Sequence, residues 1–252
     1  MARYFLTISY DGSAYAGWQS QANALAVQEV LEKAMSMVLR QEIRLMGSSR
    51  TDTGVHALRQ IAQADFELHG NIDQCLIKLN GALPSDISVS SIRRVRDDAQ
   101  CRFDAVARSY RYCIQRRKNP IGRQYAHFWY GPLDLQAMQA CAEMLLRYSD
   151  FQAFSKVHTQ VQHFRCSIEY ARWVTTDEGL LIFEVKANRF LRGMVRALTG
   201  TMLEVGKGRR TVGDFENILM GKDRRLAGES APAKGLCLVE VFYPETVFFQ
   251  EA

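Results

Sequence analysis

Hydrophobic and polar positions along this chain switch repeatedly between a period of two and a period near 3.6 residues. RYFLTISY is rich in β-branched and aromatic residues and stops at Asp11-Gly12, which predicts a strand and then a turn. Val27, Val30, Leu31, Ala34 and Val38 recur at helical spacing and predict an amphipathic helix over about 25–40. A strand is expected near 43–46. In QADFEL, Ala64, Phe66 and Leu68 alternate with polar neighbours, the pattern of a half-buried strand.

Helical spacing returns at Ile72, Leu76 and Leu79, and ISVSSIRRV reads as a strand after Pro84-Ser85. The period fades around 98–108, where the domain junction is placed, giving an N-terminal half 1–105 and a C-terminal half 106–252. ARSYRYCI at 107–114 resembles ARYFLTIS at 2–9 in its Ala-Arg opening and aromatic alternation, a weak internal repeat. Then come a helix near 134–148, a strand pair CSIEYARWV and LLIFEVKA around the turn at 177–179, and a helix from about 189 to 205. Strands and helices mix without strict alternation, which predicts an α+β fold with largely antiparallel sheets.

Composition narrows the picture. The 252 residues are 47% hydrophobic and 23% charged, an ordinary globular mixture that excludes disorder and fibres. A net charge of +5 permits a polyanionic partner. The six cysteines form no CxxC pair and read as reduced, mostly buried thiols. The start shows no signal-peptide pattern, and no apolar run reaches the roughly 20 residues a bilayer crossing needs. A cytoplasmic protein without a membrane partner is expected.

Candidate chemistry starts with GSSRTDTGVHA at 47–57, which collects an Arg, an Asp, a His, two Gly and four hydroxyl residues around little apolar surface. Such a run reads as a surface loop, with Asp52 capping a turn, or as a functional loop held between strands. His158 and His163 stand five apart in HTQVQH, but nothing completes a ligand set and no metal is expected. GKGRR and GKDRR lack phosphate-cradle spacing, and there is no GxSxG elbow. In NRFLRGMVRALTGTMLEV, a continuous helix would gather Leu191, Met194, Val195, Leu198, Met202 and Val205 on a core face. It would bring Arg189, Arg192 and Arg196 within roughly 60° of each other. That arginine stripe is either a solvated face or a phosphate-binding one. Arg116, Arg117, Lys118, Arg123, Lys207, Arg209 and Arg210 add to the basic inventory.

Six blocks in order carry a family resemblance: YDGSAYAGWQSQ with VQEVLEKAM, RTDTGVHA at 50–57, LNGALPSDI at 79–87, ARSYRYCI, NRFLRGMVRALTG at 188–200 and APAKGLCLVEV at 231–241. Together they resemble the TruA-type tRNA pseudouridine synthases over nearly the whole chain. The resemblance implies two similar sheet-and-helix halves joined across a basic central cleft, a homodimeric working unit, tRNA as partner and no cofactor. It implies isomerisation of uridine to pseudouridine in the anticodon arm, at tRNA positions 38 to 40. Asp52 matches the catalytic carboxylate, and Arg50 the side chain that enters the stack when the target nucleotide flips out. Tyr110 matches the aromatic that stacks on the base, and Arg196 the partner of the catalytic Asp. Leu236 or Leu238 would supply an apolar wall, and Arg189, Arg192, Lys207, Arg209 and Arg210 further RNA contacts.

Two stretches depart from the family pattern: Ser155-Lys156 replaces an expected Arg, and DAQCRF at 98–103 lacks a common His. Both bear on particular RNA contacts. Two rivals remain at this stage. One is an RNA-binding module in which Asp52 only caps its loop. The other is a glycoside or nucleoside hydrolase, which needs a second carboxylate, and by motif only Asp11 is near.

Overall fold

The structure, a computed structural model, describes residues 1–157 and 161–249. In chain order its elements are β1 (Ala2–Tyr10), α1 (Val27–Leu39), β2 (Met46–Gly47), β3 (His56–Phe66), α2 (Ile72–Ala82) and β4 (Ile87–Arg94). There follow β5 (Ala107–Gln115), β6 (His127–Phe128), α3 (Leu135–Met144), β7 (Ile168–Thr175), β8 (Leu180–Ala187), α4 (Met194–Gly206), α5 (Val212–Gly221) and β9 (Leu236–Phe242). The fold is α+β with mostly antiparallel pairing, as the mixed order of elements predicts. Among the described residues no helix is long and apolar enough to cross a membrane.

The chain divides into two compact units. Unit 1 holds Met1–Val106 together with the stretch from Leu238, and unit 2 holds Ala107–Cys237. The junction lies where the periodicity fades, but the sequence reading kept all of 106–252 in one half. The return of 238 onward is set by the pairing of β9 with β3, a contact between distant positions that no local period reveals.

In unit 1 the strands run β4-β1-β3-β9. β1 lies between two antiparallel neighbours, with Leu6 facing Ala62 on one side and Ile92 on the other. Leu6, Ile8, Leu31, Met35, Phe66 and Leu79 are fully buried, so one face of the sheet and the packed pair α1 and α2 share a core. The strand expected near 43–46 shrinks to β2, because α1 side chains take the backbone bonds a neighbouring strand would have made. Glu32 Oε1 accepts from Leu45 N–H (2.8 Å), Gln28 Nε2 donates to Leu45 O (2.9 Å), and Ser36 Oγ accepts from Ile43 N–H (3.0 Å).

Within unit 2 the order is β5-β8-β7, with the short β6 parallel to β5. α3 packs on β7, α4 and α5 over a core that includes Tyr112, Phe154, Phe183 and Phe215. α5 was not anticipated, although Thr211 and Asp214 cap it reciprocally and Phe215, Ile218 and Leu219 are its buried side chains. The larger correction concerns α4. It begins at Met194 and not near 189, after Gly193 in the left-handed region (φ 73°), so Arg189 and Arg192 precede the helix and the three-arginine stripe does not exist. Every residue of α4 except Arg196 and Glu204 is buried.

Candidate active site

Loop 48–55 connects β2 to β3 and is pinned at several points along its backbone. Ser48 N–H donates to Ile61 O (2.8 Å), continuing the β2–β3 pairing for one more residue. Gln60, fully buried in β3, accepts from Ser48 Oγ (2.9 Å) and donates from Nε2 to Ser49 O (2.6 Å). Beyond Arg50 the support changes to the segment after β1. Thr51 O accepts from Trp18 N–H (3.3 Å), its Oγ1 lies 2.8 Å from the Tyr10 hydroxyl, and Gly54 N–H donates to Tyr15 O (3.3 Å). Val55 N–H closes the turn on Asp52 O (3.1 Å).

The seat of this loop is residues 10–18. Asp11 accepts from Ser13 N–H (2.9 Å) and caps a single 3-10 turn, as its turn reading expects, but it also lies 3.1 Å from Nδ1 of buried His56. The same Nδ1 faces Gly12 N–H at 3.1 Å. Gly12 is obligatory: a Cβ there would stand 2.0 Å from Val55 O. Tyr15 is anchored in turn by donating to Asp86 Oδ1 (2.7 Å), and burial followed by Asp86 holds its phenol above the ordinary range. Tyr10, Gly12, Tyr15, Trp18, His56 and Asp86 thus position the loop, although the sequence reading gave none of them a role. The signal available was the density of aromatic and glycine residues in YDGSAYAGW.

On this scaffold Asp52 is half-buried and Arg50 is exposed. A carboxylate on a backbone fixed at both flanks can act as base or nucleophile with little reorganisation. Leu238 begins the stretch that returns to unit 1 and is fully buried in β9.

The remaining expected residues belong to unit 2. Tyr110 sits in β5 opposite Val185 of β8, is largely buried, and packs edge-on against Phe190 at 5.0 Å between ring centroids. Arg196, half-buried in the first turn of α4, donates from Nε to Ala231 O (2.8 Å), while Ala231 N–H donates to Arg196 O (2.9 Å). Nearby Tyr112 is fully buried and donates to Pro232 O (2.9 Å). Burial pushes its phenol above the ordinary range, opposed by the Arg196 guanidinium. Leu236 is buried at the start of β9. Arg196, Tyr112 and the 231–232 carbonyls therefore form one connected group.

The expected RNA-contact residues separate. Arg192 and Arg209 are exposed, and Arg189 reaches His163 at 3.4 Å. Arg210 is bound tightly to Glu204, so its charge is already met within the protein. Lys207 Nζ lies 3.6 Å from the centre of the Trp129 ring, its pKa lowered by burial and then by Arg209. Among the described residues no group of three His, Cys, Asp or Glu is placed to hold a metal ion, and His158 of the HTQVQH reading lies outside them.

Comparison with known proteins converges on one family. A model described as tRNA pseudouridine synthase matches residues 6–104 and 142–244, and Tyr110 falls between the two matched stretches. The chain is 47% identical to a tRNA pseudouridine synthase A from Bacteroides fragilis over 247 residues, covering 98% of each chain. It is 46% identical over 253 residues to a protein of the same name from Bacteroides thetaiotaomicron, covering 100% of this chain and 94% of that one. With the namesake from Parabacteroides distasonis it shares 43% over 250 residues, 98% of each chain.

Proposed function

The chain belongs to the tRNA pseudouridine synthase family, and on that premise we propose that Asp52 is the carboxylate with which it isomerises uridine to pseudouridine in the anticodon arm of tRNA. The enzyme is an isomerase: the N1–C1′ bond of a uridine is broken, the base turns, and C5 is joined to C1′, with no atom lost and no redox change. In this reading Asp52 attacks the ribose or base, or takes a sugar proton, and Arg50 occupies the space the flipped nucleotide vacates, offsetting part of an unstacking cost of a few kcal/mol. Tyr110 stacks on the base, Arg196 supplies the cation of the catalytic ion pair, and Leu236 and Leu238 contribute apolar packing. Arg189, Arg192, Lys207 and Arg209 serve phosphates. The working unit is a homodimer in the cytoplasm.

The observation that supports the assignment of Asp52 is its setting: a half-buried carboxylate on a loop anchored at Thr51 and Gly54 to the segment after β1, with exposed Arg50 two residues away. Loops that merely turn a chain rarely recruit this many buried partners. Asp52→Asn keeps the shape and removes the charge that both routes require. We expect product formation on tRNA to fall by at least about a thousandfold with tRNA affinity near that of the parent. Mapping pseudouridine in tRNA treated with each protein makes the check, and substantial turnover by the variant would sink the assignment.

A further inference from the structure

Residues 115–133 read QRRKNPIGRQYAHFWYGPL: four cations, four aromatic rings and no carboxylate in nineteen residues. Nothing in the reaction described above uses them. The chain here leaves β5, makes a 3-10 turn at Arg123–Tyr125 and returns as β6 beside the end of β5, where Trp129 N–H donates to Gln115 O (3.0 Å). Three consecutive rings then lie in series. Phe128 and Tyr130 are 6.0 Å apart at 33°, and Trp129 and Tyr130 are 6.3 Å apart at 22°. Tyr130 is 80% exposed and contributes little to the core, while Phe128 is 39% exposed.

Cations lie close to this series. Lys207 covers the Trp129 ring, Arg209 follows it exposed, and Lys207 and Lys234 both act on His127. The turn bearing Arg123 and Tyr125 packs on the turn Ala233–Gly235 that carries Lys234. Burial first, then Lys207 and Lys234, hold His127 below its ordinary range, so it adds no positive charge near neutral pH. Glu204, the acidic group acting on Lys207, already holds Arg210.

We propose that Phe128, Trp129 and Tyr130, with Lys207 over the Trp129 ring, exposed Arg209 two residues on and Lys234 on the turn packed against 123–125, are a stacking platform for unpaired nucleotides of the tRNA, carried wholly by unit 2. The proposal rests on tRNA being the substrate. Tyr130, the most exposed ring, offers a face to a base, the tilted Phe128 and the stacked Trp129 back it, and neighbouring cations offer partners to the phosphates. A second copy of this chain is the less suitable occupant, since a symmetric contact would set these cations against each other.

The test uses the parent protein, Tyr130→Ala and Tyr130→Phe, with binding of unmodified tRNA and the single-turnover rate at saturating tRNA measured for each. Tyr130→Ala should weaken binding about tenfold and leave the saturated rate unchanged, while Tyr130→Phe should bind like the parent. Arg209→Gln should reduce the salt dependence of binding by about one ion, which Tyr130→Ala should not. Irradiating the parent with tRNA carrying bromouridine should crosslink the peptide bearing 128–130, a readout that needs no variant. Parent-like binding by Tyr130→Ala, equal losses in the Ala and Phe variants, absence of the crosslink, or dissociation of the protein into monomers on Tyr130→Ala would each overturn the platform. Failure of the parent to form pseudouridine would instead overturn the functional reading.

Discussion

Loop 48–55, seated against Gly12, and the approach to α4 at 188–193, ending in Gly193, both carry arginine and depend on a glycine, and the structure uses the two glycines differently. Around Asp52 the backbone is fixed from both sides, and Gly12 is required because Val55 O occupies the place of a side chain. At Gly193 there is open space and the requirement is conformational, a left-handed residue that turns the chain into the helix. Gly12 therefore marks contact and Gly193 direction, although Gly54 inside the loop shares the left-handed conformation (φ 75°). A catalytic group needs the first kind of support, because a misplacement of about 1 Å can cost on the order of 100-fold in rate. Groups that meet phosphates tolerate the second, since a flexible cation finds its partner without a fixed backbone.

Substituting the two glycines tests that contrast directly. Gly12→Ala must push Val55 and hence the loop that carries Asp52, so kcat should fall about 100-fold while tRNA binding changes little; parent-like kcat would mean that the loop has another anchor. A smaller loss, about tenfold in the saturated rate, is expected for Arg196→Lys, which keeps the charge but loses the bond from Nε to Ala231 O. Its signature is a reduced rate at unchanged tRNA affinity, and a drop in affinity alone would move Arg196 to the binding group. Gly193→Ala should have the least effect on turnover, with a cost of about 1 kcal/mol in stability from the left-handed conformation. Thermal unfolding reads this as a shift of a few degrees, and a rate loss comparable to that of Gly12→Ala would erase the distinction.

Much of this was legible in the sequence where local pattern decides. β1, α1, α2, β4, β5, β7 and β8 are legible from local pattern; the period is cleanest in β8, where alternate residues are buried, while β5 is buried on both faces. The end of β9 was not legible, since its place depends on a partner strand some 175 residues earlier in the chain. The start of α4 was misread for a local reason: Leu191 and Met194 continue the helical spacing across Gly193, whose φ has no signature in periodicity. Asp52, Arg50, Tyr110 and Arg196 were nominated by the resemblance of their motifs. Composition alone left Asp52 as an ordinary loop residue, because its particular value lies in hydrogen bonds to residues 15–18 that composition does not encode.

The return of the chain at Leu238 also imposes an order on synthesis. Unit 2 is one uninterrupted run, whereas unit 1 needs both its first 106 residues and the stretch that follows unit 2. Emerging from the ribosome, residues 107–235 precede β9, so the part of the β3 edge that β9 covers waits while they are made. Chains arrested before Leu236 should accordingly display a protease-sensitive β3, and β9 closes the sheet that carries the Asp52 loop.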